Sequence, residues 1–368
     1  MINEQRNKIK IIHIIDAMSV GGAQTFLINL LKGLDPEIFE FKVITIIEKG
    51  FLAQDLEKLG IEVVHLQKKG KIGFSLIYKL TKFLKQEKPD IVHTHIFGAD
   101  TQGRIAAFLA RVPIIISTEH NVNPDQGLIK RLVKKILSLI TFKIIATSAA
   151  IRDYSIKNDK IAADKFALIH YGIDLDAFLF RGFKEIDLQN IRAGVIARLE
   201  LQKGHTFLIQ ALPEIIKKYP GFNLQIIGEG HLEGQLKNEV AKLNLQKNAQ
   251  FVGVRHDMAQ VLNNLDIVIL PSLWEGQGIS ILEAQAVGVP VLAANVDGIK
   301  EIVLDKQTGL LFFAQNPRAI FSCVDSLLSN PELIKQMLPK ARQLVEEKYS
   351  LKQMIANYQK FYLAIMKK

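Results

Sequence analysis

The sequence predicts an α/β chain built from two doubly wound parallel-sheet domains. Three observations predict it. Short β-branched runs alternate with helix-length amphipathic stretches throughout. The alternation lapses over residues 174–190, DLDAFLFRGFKEIDLQN, and then restarts. The length, 368 residues, exceeds what one hydrophobic core ordinarily organises and suits two.

The first series of strand candidates is IKIIHII (9–15), FKVITII (41–47), EVVHL (62–66), DIVHTH (90–95), PIIISTE (113–119) and KIIATS (143–148). The second is RAGVIAR (192–198), NLQIIG (223–228), AQFVG (249–253), DIVILPS (266–272) and PVLAAN (290–295). Continuous apolar strands separated by helices indicate parallel sheets covered on both faces, with the functional edge at the strands' carboxyl ends. The expected division is a first domain over 1–173, a linker over 174–190 and a second domain over 191–349. A last amphipathic helix over 350–368 is expected to pack back towards the first domain.

Composition narrows the function. Hydrophobic residues at 48% and charged residues at 23% are ordinary globular usage. A formal charge of +10 points to an anionic partner: nucleotide phosphates, a membrane surface or nucleic acid. Cys323, the single cysteine, excludes a disulfide framework and any multi-cysteine zinc site. The opening MINEQRNKIKIIHIID has neither the flanks nor the apolar stretch of a signal peptide, and no run is long enough to span a membrane. A cytoplasmic chain is expected.

Residues 270–303, LPSLWEGQGISILEAQAVGVPVLAANVDGIKEIV, carry the most chemistry. A strand ends at Ser272, a loop with Gly276 and Gly278 follows, and a helix is expected from about Ser280 to Gly288. Small residues ahead of a helix N-terminus let backbone amides approach a phosphate, and the helix dipole favours its charge. Glu275 and Glu283 suit sugar hydroxyls better than phosphates. Two plainer readings stay open: Ser280-x-x-Glu283 has capping-box spacing, and Glu275 could be a solvated loop residue. In GVIARLELQKGHTFLIQAL (194–212), Arg198 ends a strand and Lys203-Gly204 leads into a helix. Two cations there could clamp a diphosphate leaving group, or merely decorate a loop. In DAMSVGGAQTF, Gly21-Gly22 separates the first strand from its helix, which a tight turn would also explain.

Taken together, the first-loop Gly-Gly, R-L-x3-K-G, and E-x7-E closed by EAQAVGVPV resemble the family-four retaining glycosyltransferases. IGEGHLEGQL, FVGVRHDM, NLDIVILPS, VDGIKEIV and TGLLF follow in the family's order. The resemblance implies a GT-B fold, two Rossmann-like domains facing a cleft. The first would bind the acceptor and the second the nucleotide sugar. It implies that Arg198 and Lys203 hold the diphosphate, assisted by the amides of Gly278, Ile279 and Ser280. Glu283 would bind the ribose, Glu275 the donor sugar, and Gly253, Val254 and Arg255 the base pocket. Gly22 would let the first loop approach the phosphates, and His120 would contact the sugar near the reaction centre. GGAQ and EGQGIS depart from the commoner family patterns, which leaves the donor sugar open.

Other features are weighed as decoys. His93-x-His95 could place two rings on one side for a metal, but no third ligand stands out. No metal or other cofactor is expected. Asp174-x-Asp176 imitates a metal motif in what reads as the linker, and Gly228-x-Gly230-x3-Gly234 imitates a dinucleotide fingerprint with the wrong last gap. Residues 128–143, LIKRLVKKILSLITFK, carry five bases and no acid. Apolar residues at 128, 129, 132, 133, 136, 137 and 140 fall on one helical face. That suits either an interfacial helix on anionic lipid or a helix packed on its sheet with its bases in water. Residues 71–88 form a similar stretch. No nucleic-acid module is found.

The expected function is retaining transfer of a sugar from a nucleotide diphosphate, UDP favoured over GDP. The expected acceptor is a lipid-linked or polysaccharide one in cell-envelope synthesis, at the inner membrane face. A nucleotide-sugar epimerase and a non-catalytic binding protein are the alternatives.

Overall fold

The computed structural model describes residues 8–19, 21–67 and 74–367. MINEQRN and the first three residues of the 71–88 stretch lie outside them. The chain forms two units: residues up to Gly172 with those from Met354 onward, and Ile173–Gln353.

In the first unit the strands are β1 (Ile9–Ala17), β2 (Phe39–Glu48), β3 (Glu62–His65), β4 (Ile91–His95), β5 (Ile114–Glu119), β6 (Lys143–Ala146) and β7 (Phe166–Leu168). They pair in the order β3-β2-β1-β4-β5-β6-β7, every pair parallel. Ile11, Ile12, Ile14 and Ile15 are all fully buried, because helices cover both faces. In the second unit β8 (Ile191–Ile196), β9 (Phe222–Ile227), β10 (Ala249–Gly253), β11 (Ile267–Leu270), β12 (Val291–Ala294) and β13 (Leu310–Phe312) follow. Their order is β10-β9-β8-β11-β12-β13, again all parallel. Strand order reverses between β1 and β4 in one sheet and between β8 and β11 in the other. Those reversals open crevices at the carboxyl edge, the place where such sheets bind ligands. β7 and β13 were not among the expected strands; three residues each, FAL and LLF, are too short to show a period.

Residues 174–190 do not behave as a free linker. Leu175 and Phe178 pack against the second unit's core, and the Arg181 guanidinium donates to the carbonyls of Asn263 (2.6 Å) and Leu265 (2.7 Å). The change of unit comes at Gly172 and Ile173 instead. The last helix, Leu351–Met366, buries Tyr358 and Tyr362 in the first unit. The Gly172 N–H donates to Met354 Sδ (3.2 Å) within that unit, and the Leu351 N–H donates to the Ile173 carbonyl (2.8 Å) within the second. Cys323 is buried in the helix Pro317–Leu328, where burial pushes its thiol up to about 12.

The helix Leu128–Ile140 departs from expectation. Its inward side is Lys134, Leu137 and Ser138, so Leu137 alone of the expected apolar stripe is buried. The Lys134 ammonium pairs with Glu119 (2.9 Å) and Asp159 (3.2 Å), and those two carboxylates decide which side turns in. The packed helix with its stripe against the sheet is therefore not what forms. Among the described residues no helix is long and apolar enough to cross a membrane.

Candidate active site

Two loops of the second unit meet at the β8/β11 reversal. Arg198 lies just beyond β8 with its side chain exposed and, among the described residues, without a hydrogen-bond or ion-pair partner. Lys203 closes a short 3-10 turn, Leu201–Lys203, and Gly204 follows at φ 65°. A Cβ on Gly204 would lie 2.1 Å from the Pro271 carbonyl oxygen, so a glycine is required for the first loop to reach the second. That approach is bonded: the Leu273 N–H donates to the Gln202 carbonyl (2.7 Å), and Gln202 Nε2 donates to the Trp274 carbonyl (3.0 Å). It ends with the Lys203 ammonium paired to the Glu275 carboxylate. Ser272 Oγ donates to the same carboxylate oxygen at 3.3 Å, and the Glu275 carbonyl accepts from the Gly298 N–H at 3.2 Å.

The decoy glycines support this edge. A Cβ on Gly228 would meet the Ala197 carbonyl oxygen at 2.2 Å, and one on Gly230 the Leu199 carbonyl oxygen at 2.5 Å. They let the loop after β9 lie against the backbone carrying Arg198, which the Leu199 N–H reinforces by donating to the Glu229 carbonyl (2.8 Å).

The helix beyond Glu275 is Ile279–Val287, with Gly278 (φ 74°) before it and Gly288 (φ 86°) after it. Ser280 lies inside the helix and no side chain caps it, so the capping-box alternative for Glu283 does not form. The first amides of a helix have no partner within it, which leaves those of Ile279 and Ser280 suited to an anion. Glu283, one turn on, has no hydrogen-bond partner among the described residues, and burial pushes its carboxyl up to about 7. Asp297 was missed, although it stands in VDGIKEIV. It sits at φ 29°, and burial, with the Glu275 charge adding, raises its pKa.

Val254 and Arg255 follow Gly253 (φ 77°) at the end of β10. The exposed Arg255 guanidinium is engaged by Asp257, with Nε donating to Oδ1 at 2.7 Å. Asp174 Oδ1 accepts from the Asp176 and Ala177 amides, a turn rather than a metal site.

In the first unit Gly21 precedes the helix Gly22–Gly33, Gly22 is exposed, and Gln24 Nε2 donates to the Ala17 carbonyl (3.0 Å). The parallel register sets His13 beside His93. His13 Nδ1 lies 3.0 Å from His95 Nε2, His95 Nδ1 lies 3.1 Å from His120 Nε2, and His120 Nδ1 bonds the Tyr171 hydroxyl. Burial lowers all four histidines, His13 to about 3 and His120 to about 4. Neutral imidazole has one N–H and one acceptor nitrogen, so His13, His95 and His120 must all point their protons the same way along the chain. Both nitrogens of His120 are thus engaged within this unit.

His13 is also the third candidate ligand that spacing alone could not show, since nitrogens of His13, His93 and His95 lie within 4.8 Å of one another. Five of these six nitrogens already have partners: the inter-histidine bonds above, and His93 to Tyr362 (2.8 Å) and Thr118 (2.6 Å). His13 Nε2 alone has none. The cluster fits a hydrogen-bonded core better than a metal centre.

Two parallel α/β units, the second presenting a basic and carboxylate-rich edge at its strand reversal, define the GT-B class of fold. Residues 20–177 match the family profile Glycosyltransferase Family 4, and residues 179–344 that of Glycosyl transferases group 1. The UDP-Gal:alpha-D-GlcNAc-diphosphoundecaprenol alpha-1,3-galactosyltransferase of Escherichia coli is 33% identical over 64% of this chain and 65% of its own length, slightly under two thirds of that relative. The capsular polysaccharide biosynthesis glycosyltransferase CapM of Staphylococcus aureus is 27% identical over 81% of this chain and 84% of its own. Among solved structures, HepE of Anabaena in complex with UDP and glucose has a TM-score of 0.86 at 21% identity, covering 97% of this chain and 100% of that one, a likeness of fold. The chain belongs to the family-four glycosyltransferases of GT-B fold.

Proposed function

We propose that the protein transfers a sugar from a nucleotide diphosphate, UDP rather than GDP, to a lipid-linked acceptor of cell-envelope glycan synthesis, with retention at the anomeric carbon. The observation that carries this is the Lys203–Glu275 pair at the β8/β11 edge, with Arg198 just beyond β8 and Glu283 in the helix that follows Glu275. UDP and the lipid-linked acceptor are supported by the name of the Escherichia coli relative, and UDP also by the HepE complex.

Arg198 and Lys203 neutralise the departing diphosphate, and the Gly278–Ser280 amides add donors. Glu283 accepts from the ribose hydroxyls and Glu275 from those of the sugar. The bond from the anomeric carbon to the diphosphate breaks while the acceptor hydroxyl oxygen attacks the same face. Its proton passes to the leaving phosphate oxygen, so charge balances without a metal ion. The first unit supplies acceptor recognition.

Thermal unfolding with UDP, GDP, ADP, CMP and NADH tests the donor site. UDP at a hundred times its Kd stabilises by about 2.7 kcal/mol, and Arg198→Ala removes the response. Transfer from UDP-sugars to a lipid-diphosphate sugar continues in EDTA and is lost in Glu275→Ala. Product without acceptor establishes an epimerase instead; silence from every nucleotide establishes a non-catalytic protein.

A further inference from the structure

The helix Leu128–Ile140 is locked in an orientation that leaves its greasy side in water. Lys134 is 4% exposed between two carboxylates, and Asp159 also accepts from Gln126 Nε2 at 2.6 Å. Burial works against the ammonium, but Glu119 and Asp159 outweigh it and hold its pKa above that of a free lysine. Rolling the helix over would carry Lys134 into water and leave the Glu119 and Asp159 carboxylates without it, so the pairing fixes the outward face.

That face holds five large aliphatic side chains: Leu128 (81% exposed), Ile129 (80%), Leu132 (58%), Ile136 (55%) and Leu139 (76%). At 100° per residue they share a sector roughly 100° wide. Lys135 borders it, Lys130 and Arg131 add charge to the same helix, and residues 128–143 contain no acid. The neighbouring helix Phe97–Leu109 adds exposed Phe108 (56%) and Leu109 (51%). An exposed apolar stripe bordered by Lys135, on an acid-free helix of a chain of net charge +10, calls for a partner that is both apolar and anionic.

We propose that this face docks on an anionic lipid bilayer, the aliphatic residues entering the acyl boundary while the lysines meet the headgroups. Charge complementarity selects lipid over a second copy of this chain, because a two-fold pairing would bring the same lysines together. Docking deepens the lipid-linked reading of the acceptor and rests on it for its purpose, by holding the first unit where such an acceptor is embedded.

The test is vesicle flotation of the full chain with no donor or acceptor present. Vesicles of phosphatidylglycerol and phosphatidylethanolamine should bind it, and vesicles of phosphatidylcholine should bind about tenfold less. Leu132→Glu combined with Ile136→Glu should weaken binding to the anionic vesicles about tenfold or more. Both sites are exposed, so the thermal midpoint should stay near that of the unaltered chain. Equal binding by the double variant overturns the proposal, as does equal binding to both vesicle types. Absence of vesicle binding, with a concentration-dependent dimer that the double variant abolishes, overturns it in favour of self-association. Transfer to a water-soluble acceptor is measured separately. Its absence tells against the transferase reading and leaves the vesicle result to decide docking.

Discussion

Glu275 and Glu283 bracket the loop that starts the helix Ile279–Val287, yet their surroundings differ. Glu275 is held by the Lys203 ammonium and Ser272, whereas Glu283 has no partner among the described residues and is pushed up to about 7. Only the ionised carboxylate accepts from both ribose hydroxyls, so Glu283 must lose its proton to bind well. UDP affinity should therefore rise several-fold between about pH 6 and about pH 8, and Glu283→Gln should flatten the profile while lowering its upper end. Calorimetric titration across that range decides it; a flat profile in the unaltered chain removes Glu283 from the ribose. That Glu275 and Glu283 flank a loop and one helical turn was legible from spacing, because those are local, whereas their roles came only with the family resemblance. Asp297 was not, because its proximity to Glu275 depends on the fold at β12. His13 likewise joined the other histidines only through the β1–β4 register.

Among elements, the last helix has the largest consequence. Tyr358 and Tyr362 are fully buried in the first unit, and the Tyr362 hydroxyl meets His93 Nδ1 at 2.8 Å. Phe39 and Phe26 pack their rings near Tyr362 and Tyr358 respectively. Tyr362→Ala should cost about 3 to 5 kcal/mol through the cavity it leaves. Tyr362→Phe, losing only the hydroxyl, should cost about 1 to 3 kcal/mol. Urea unfolding followed in the first unit measures both, and equal costs would show that the hydroxyl alone matters. Eleven strands were legible because parallel strands buried on both faces read as continuous apolar runs. The inward side of Leu128–Ile140 was not, since Glu119 and Asp159, distant in sequence, outweigh the hydrophobic period of the helix itself.

At the scale of the molecule, the buried histidines set a pH limit. His13 near 3, His120 near 4 and His205 near 4 are all depressed, chiefly by burial. An unfolded chain takes up protons on these rings below about 6.5, where the folded protein does not. Uptake on unfolding means that stability is complete above that pH and is lost as pH falls towards about 4. Glu283 and Asp297 act in the opposite sense, their raised pKa values favouring the folded state at low pH, but they stand against five lowered histidines. Thermal midpoints should fall steeply between about pH 6.5 and about pH 4.5; an unchanged midpoint over that span would mean these rings are protonated in the folded state.

The chain visits the first unit, builds all of the second, and returns to the first with the helix Leu351–Met366. During synthesis the ribosome therefore delivers the earlier unit's strands long before the two tyrosines that fill its interior. The second unit, contiguous from Ile173 to Gln353, can close as soon as it emerges. Seniority in the chain is reversed in folding: the part made first must wait, with His93 and Phe39 uncovered, until all of the second unit has been translated. Holding chaperones should accordingly act on nascent residues 8–172, and a stalled chain lacking the last helix should present a folded second unit beside an open first one.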